Sequence, residues 1–158
     1  MGRKILKIYV TYGTGQGKTA IAAFDKALND AGISNLNLIL LSSVIPKNSK
    51  IFLKKLKIKN NYGNKGYVVL SKKIEKEKDA FAGLAWTQDK EGKGLFVEAA
   101  GNSRKEVEKL LTVSLEEMKK TRNKRFGSIK KKIVGIKARN KESYVCAVVA
   151  ALYKIEGW

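Results

Sequence analysis

The chain of 158 residues has no histidine, one cysteine (Cys146) and one proline (Pro46). Without histidine, neither a Cys/His zinc site nor a His-based nucleophile triad or dyad can be assembled within one chain. A lone cysteine cannot close an internal disulfide, which fits a reducing compartment. Long apolar runs are also missing. None reaches the roughly 18 residues that span a bilayer, and the opening residues lack the uninterrupted apolar core of a signal peptide. The expectation is a cytoplasmic protein with no membrane partner and no metal. Acidic residues are scarce as well: 14 against 33 Lys+Arg, a formal net charge of +19. That surface carries a strong positive field. Yet 44% apolar residues and a single proline are the makeup of a folded chain, not of a basic disordered tail. The length predicts one domain, 1–158.

The kind of cation bears on the partner. There are 28 lysines and five arginines (Arg3, Arg104, Arg122, Arg125, Arg139), whereas base and phosphate recognition favours the guanidinium fork. The densest run, Lys119 to Lys132, spans a helix end and the next strand, where lysines also suit the helix dipole and a solvated face. Nucleic-acid binding is the weaker reading, and a general lysine bias the simpler one. The GTGQGKT stretch, Gly13 to Thr19, has the look of a phosphate loop but not its spacing. A Walker A loop needs a glycine where Tyr12 stands, so the stretch reads as a flexible turn entering a helix.

Residues Ile5 to Tyr12 alternate as a strand. Ile21, Phe24, Ala27 and Leu28 then recur at helical spacing, predicting a helix over 19–31 with Thr19 as N-cap and Gly32 as stop. Leu36 to Leu41 is a short apolar run of the buried-strand kind, ending at Ser42-Ser43-Val44-Ile45-Pro46. Residues 47–65 read as an exposed basic connection with a short strand near Ile51 to Ile58. Strands are predicted at Gly66–Ser71, Ala80–Thr87 and Gly94–Ala100, the last two as a hairpin. Ser103 opens an amphipathic helix, with Glu106 completing a capping box and Val107, Leu110, Leu111 and Leu115 on one face. Strands near Ile129–Ala138 and Tyr144–Tyr153 close the chain. Two main helices among seven or eight strands, without βαβ alternation, predict an α+β fold: a layered αββα-type sandwich of mainly antiparallel sheets.

On position alone, Ser42-Ser43 is a turn that satisfies local backbone groups. Its surroundings change that. The block AFDKALNDAGISNLNLILLSSVIP, Ala23 to Pro46, resembles the pyruvoyl-dependent arginine decarboxylases, with their helix, Ala-Gly-Ile turn, Asn-x-Asn strand and Ser-Ser pair in this order. GTGQGKT upstream is similar to that family's Gly-rich loop. Downstream, GLFVEAAG (94–101), the SRKEVEKL helix and CAVVAALYK (146–154) also fall into line, while 47–92 aligns only loosely. Where many relatives have two prolines after the serines, this chain has Pro46-Lys47.

The resemblance implies that Ser43 is the precursor of a covalent pyruvoyl cofactor, with no pyridoxal phosphate and no metal. The chemistry is intelligible without the family: a strained Ser42–Ser43 peptide lets the Ser43 hydroxyl attack the Ser42 carbonyl, and elimination from the resulting ester cuts the chain. The products are a 1–42 β chain and a 43–158 α chain. The resemblance assigns Asn37 to positioning the scissile peptide, the alternative being a buried strand amide with structural hydrogen bonds. Glu98, in the apolar stretch LFVEAA, matches the family's proton donor, and burial would keep it protonated. Asp25 matches a residue that holds the substrate guanidinium, though by itself it looks like any surface helix aspartate. Ser42, once a chain end, would add a carboxylate and a hydroxyl. Implied further are conversion of L-arginine to agmatine and carbon dioxide in polyamine biosynthesis, and a homotrimer with sites between subunits. The alternatives are a related decarboxylase for another amino acid, or an unprocessed paralogue that binds nucleic acid.

Overall fold

The alternation that starts near Ile5 does not stop at the glycines. In the computed structural model, which describes residues 4–158 and so leaves Arg3 outside, strand β1 runs Leu6–Gly17 straight through Gly13, Gly15 and Gly17. The flexible turn expected there is a strand. Glycines two apart share one face, and on that face lies helix α1 (Ala20–Asp30), capped by Thr19, whose Oγ1 accepts from the Ala22 N–H at 3.1 Å. A Cβ on Gly13 or Gly15 would run into the α1 backbone at Ala27, and one on Gly17 into the backbone at Ala23. The bare face lets helix and strand backbones touch.

The chain continues through β2 (Asn37–Leu40), β3 (Val44–Ile45), β4 (Ser49–Leu53), β5 (Lys65–Lys76), β6 (Ala80–Gln88) and β7 (Gly94–Gly101). Helix α2 (Arg104–Lys120), β8 (Lys130–Ile136) and β9 (Tyr144–Glu156) complete it. A five-stranded sheet has the order β2-β5-β9-β1-β4 and a four-stranded sheet the order β3-β7-β6-β8. Most pairs are antiparallel; β1 with β4 and β2 with β5 are parallel. The β6–β7 hairpin forms as expected, with Gln88 opposite Gly94.

Three apolar layers hold four structural ones. Ala23, Ala27 and Leu28 of α1 pack on Cys146, Val148 and Ala150 of β9. The opposite face of β9, Val149 and Ala151, meets Leu84, Trp86 and Phe96 of the other sheet. Beyond that sheet, Val107, Leu111 and Leu115 of α2 cover Ala85, Leu95 and Val97. The order is therefore α1, five-stranded sheet, four-stranded sheet, α2, the αββα sandwich predicted. Central β9 is buried on both faces, which is why its sequence is a continuous apolar run. Among the described residues no helix is long and apolar enough to cross a membrane.

Several details depart from expectation. The run Leu36 to Leu41 is not a buried strand: β2 is a sheet edge, with Ile39 37% and Leu40 66% exposed. Residues 47–65 are more than a connection, since β4 pairs in register with β1 from Leu6↔Ser49 to Val10↔Leu53. The α2 cap is also shifted. Ser103 Oγ accepts from Glu106 N–H as a capping box requires, but the Glu106 carboxylate reaches back to the N–H of Asn102, not of Ser103.

Gly15→Ala is predicted to lower stability by about 3 kcal/mol, because its methyl can be admitted only by moving the α1 backbone. Gly157→Ala, with only the end of the Asn64 side chain near the new methyl, should stay within about 0.5 kcal/mol of the parent. Urea unfolding of the two variants measures this, and equal effects would refute the close-packing role of the glycine face.

Candidate active site

Between β2 and β3 the chain leaves the edge of one sheet and joins the edge of the other, and Ser42-Ser43 is the crossing. Leu41 N–H still bonds to the Val68 carbonyl of β5 at 2.8 Å, while the Ser43 carbonyl accepts from Phe96 N–H of β7 at 2.7 Å. The serine pair is thus tethered to a different sheet on each side. Neither serine has a positive φ, so the strain expected at this peptide is not a left-handed backbone; the constraint lies in the two tethers. Ser42 is exposed and Ser43 half-buried. Neither hydroxyl has a hydrogen-bond partner among the described residues, so the Ser43 Oγ is not engaged elsewhere.

Glu98 lies two residues beyond Phe96 on the same face of β7, about 7 Å further along the strand. Its burial is not as expected. Short β3 pairs only with Leu95 and Gly94, so β7 beyond Phe96 is a free edge and the Glu98 side chain is exposed in the single chain. Even so, partial loss of water raises its carboxyl above the ordinary range. Glu98 has no ion pair or hydrogen bond to another described residue. The strand just after it is pinned from the opposite sheet: buried Ser71 of β5 donates to the Ala99 carbonyl at 2.7 Å and accepts from Gly83 N–H at 3.2 Å.

Two residues expected at this site are not brought to it within one chain. Asn37 sits at the far end of β2, exposed, its Nδ2 donating to the Gly63 carbonyl at 2.7 Å. It is neither the buried strand amide nor a neighbour of the scissile peptide. Asp25 is on the solvent side of α1, and the five-stranded sheet lies between that helix and the layer that Phe96 faces.

One neighbour went unnoticed in the sequence. Tyr153 of β9 donates its hydroxyl to the Val44 carbonyl at 2.9 Å, and its ring lies 6.1 Å from that of Phe96. The signal was present: Val149, Ala151 and Tyr153 alternate on one face, so the only polar group of that face falls at its end. A cavity of about 290 Å³ adjoins the crossing, lined by Leu6, Leu41, Tyr67, Tyr153, Lys154 and Glu156. Its carboxylate is already engaged. Hydrogen bonds from Lys154, Tyr67 and Lys65 hold Glu156 down to about 2. No group of three or more potential metal-ligating side chains occurs among the described residues.

The comparisons with known proteins agree with one another. The family model described as pyruvoyl-dependent arginine decarboxylase matches residues 7–156. The chain is similar to a protein of Archaeoglobus fulgidus named pyruvoyl-dependent arginine decarboxylase 2, 28% identical over 94% of this chain and 96% of that one. A pyruvoyl-dependent arginine decarboxylase of Halobacterium salinarum is 35% identical over 60% of each chain. One of Methanothermobacter thermautotrophicus is 45% identical over a shorter stretch, 30% of this chain and 31% of that protein.

The isolated Glu98 carboxyl gives a testable sign. A folded-state pKa raised above its unfolded value favours the folded protein below the unfolded pKa, and that advantage is lost as pH rises through the folded one. The melting temperature of Glu98→Gln minus that of the parent should therefore be more positive at pH 7 than at pH 3.5. The opposite trend in calorimetry would mean that a cation pairs with the carboxylate.

Proposed function

Because the chain belongs to the pyruvoyl-dependent arginine decarboxylase family, we propose that it cuts itself between Ser42 and Ser43 and decarboxylates L-arginine to agmatine and carbon dioxide. The observation that carries this reading is the tethered serine pair, with a free Ser43 hydroxyl and the Ser43 carbonyl held by Phe96 N–H. In the cut, Ser43 Oγ attacks the Ser42 carbonyl carbon, a C–O bond replaces the Ser42–Ser43 C–N bond, and the hydroxyl proton passes to the freed amine. Loss of the Ser43 Cα proton then breaks the ester, leaving a Ser42 carboxylate and a dehydrated residue 43. Water replaces the nitrogen of that residue, which leaves as ammonia. Fragments 1–42 and 43–158 result.

The residues present fit a pyruvoyl group at position 43. Its place is half-buried, its adjoining carbonyl already has a donor in Phe96 N–H, and the Glu98 carboxyl lies two residues along β7 from that donor. When formed, that group supplies the electron sink otherwise provided by pyridoxal phosphate. The role of Glu98 is to hold a proton and hand it to the substrate carbon that has lost its carboxylate, and the partial loss of water around its carboxyl shifts it in the direction that role requires. Asp25 would pair with the guanidinium and Asn37 would position the scissile peptide, both from neighbouring copies. The single chain supports such an assembly by what it leaves open: Ser42 and Glu98 are exposed, Asp25 and Asn37 lie elsewhere, and apolar Ile39, Leu40 and Val44 around the crossing face water. A homotrimer with sites between subunits, working in the cytoplasm in polyamine synthesis, is the reading that accommodates them.

Intact mass under denaturing conditions tests the first step. The parent should give two fragments divided between Ser42 and Ser43, the larger with a blocked N-terminus, and Ser43→Ala a single uncut and inactive chain. A parent that stays whole, and binds nucleic acid in a salt-dependent way, would replace the enzyme reading with that of a basic binding protein. Glu98→Gln should cut normally but release carbon dioxide from arginine about 100-fold more slowly; near-parental turnover would remove Glu98 from its role.

A further inference from the structure

Among the described residues, the Tyr153 hydroxyl is the side-chain group that reaches the chain just after the crossing from the five-stranded sheet. Strand β3 is an edge strand of two residues. In an antiparallel pair, successive residues turn their backbone groups to alternate sides. The Ser43 carbonyl points to β7, where Phe96 N–H takes it. The Val44 carbonyl therefore points away from β7, to the open edge, where no strand of the described residues pairs with it. Tyr153, on central β9 of the other sheet, fills that vacancy at 2.9 Å. Its ring is held by Phe96, and burial raises its hydroxyl pKa, so it remains a donor across the working pH range. The two carbonyls that follow the scissile bond are thus fixed by donors from two different sheets.

We propose that Tyr153 is a positioning residue for the self-cleavage, its hydroxyl clamping the Val44 carbonyl so that the Ser43 Oγ stays within reach of the Ser42 carbonyl. The inference rests on the reading of Ser42–Ser43 as a cleavage site. With both peptide planes after Ser43 fixed and Leu41 tied upstream, approach of the hydroxyl is left to rotations of the short Ser42–Ser43 segment and the Ser43 side chain, and part of the entropy of bringing the groups together is already spent. After the cut, the same bond holds the end of the longer fragment, which would otherwise fray as chain ends do.

Tyr153→Phe keeps the ring and removes only the donor. Freshly made parent and variant are followed by intact mass well below both melting temperatures, so that a general loss of stability does not enter. Cleavage of the variant should be about 10-fold slower; a rate within twofold of the parent overturns the inference. A second measurement needs no cleavage. In the Ser43→Ala background, adding Tyr153→Phe should speed amide hydrogen exchange at residues 42–45 about fivefold while leaving α2 unchanged. Unchanged exchange at 42–45 also overturns it. A parent that never cleaves would instead overturn the cleavage reading itself, which separates the two failures.

Discussion

The chain must pass from one sheet to the other in the three residues 41–43. Packed sheets lie about 10 Å apart, and three extended residues span about 10 Å, so the segment between the Leu41 tie to Val68 and the Ser43 tie to Phe96 has little slack. This shortness, and not a left-handed backbone, makes Ser42–Ser43 unlike an ordinary surface turn. A looser connection would let the serines point anywhere. A longer β3 would cover the β7 edge and bury Glu98 in the single chain. The same brevity that leaves the site open to solvent brings the serine pair and the carboxyl to one strand edge.

That crossing depends in turn on the rigidity of what it connects. Both sheets present apolar faces to each other, and central β9 serves both layers: Val148 and Ala150 face α1 while Val149 and Ala151 face the second sheet. Helix α1 can lie directly on β1 only because Gly13, Gly15 and Gly17 carry no side chains. Any residue there would lift the helix and loosen the layer of β9 residues beneath it. Tyr153 belongs to that strand, so the packing of α1 on one face supports the placement of a hydroxyl at the edge of the other.

Much of this was legible in the sequence because it rests on local rules. Period-3.6 apolar spacing marked both helices, Thr19 and Ser103 marked their starts, and the polar residues 89–93 between two apolar strands marked the hairpin. What escaped was set by tertiary partners. Three glycines in a row of alternating positions read as a loop when taken singly, although their spacing of two is that of a strand face meeting a backbone. Leu36 to Leu41 read as buried because composition cannot distinguish a central strand from an edge awaiting a partner. Glu98 read as buried for the same reason, since nothing local reports that β3 stops at two residues. Ser42, Ser43 and Glu98 come together in the fold; Asn37 and Asp25 do so only if another copy brings them, and no pattern within one chain encodes that.

The charge of +19 looks hostile to a guanidinium substrate, but charge is felt locally. At physiological ionic strength the field of the distant lysines decays over about 8 Å, and the carboxylates within contact distance decide. Eight of the acids are paired with lysines: Asp30, Glu75, Asp89, Glu91, Glu108, Glu116, Glu117 and Glu156. Two more serve the backbone, Asp79 at Ala138 N–H and Glu106 at Asn102 N–H. Asp25 and Glu98 are among the few that have neither kind of partner among the described residues. Glu98 stands apart on the edge of β7, where partial loss of water raises its pKa and none of the described residues forms an ion pair with it. Against that excess of lysine the few unpaired acids stand out: a cation that approaches Asp25 meets a carboxylate that it need not win from a lysine.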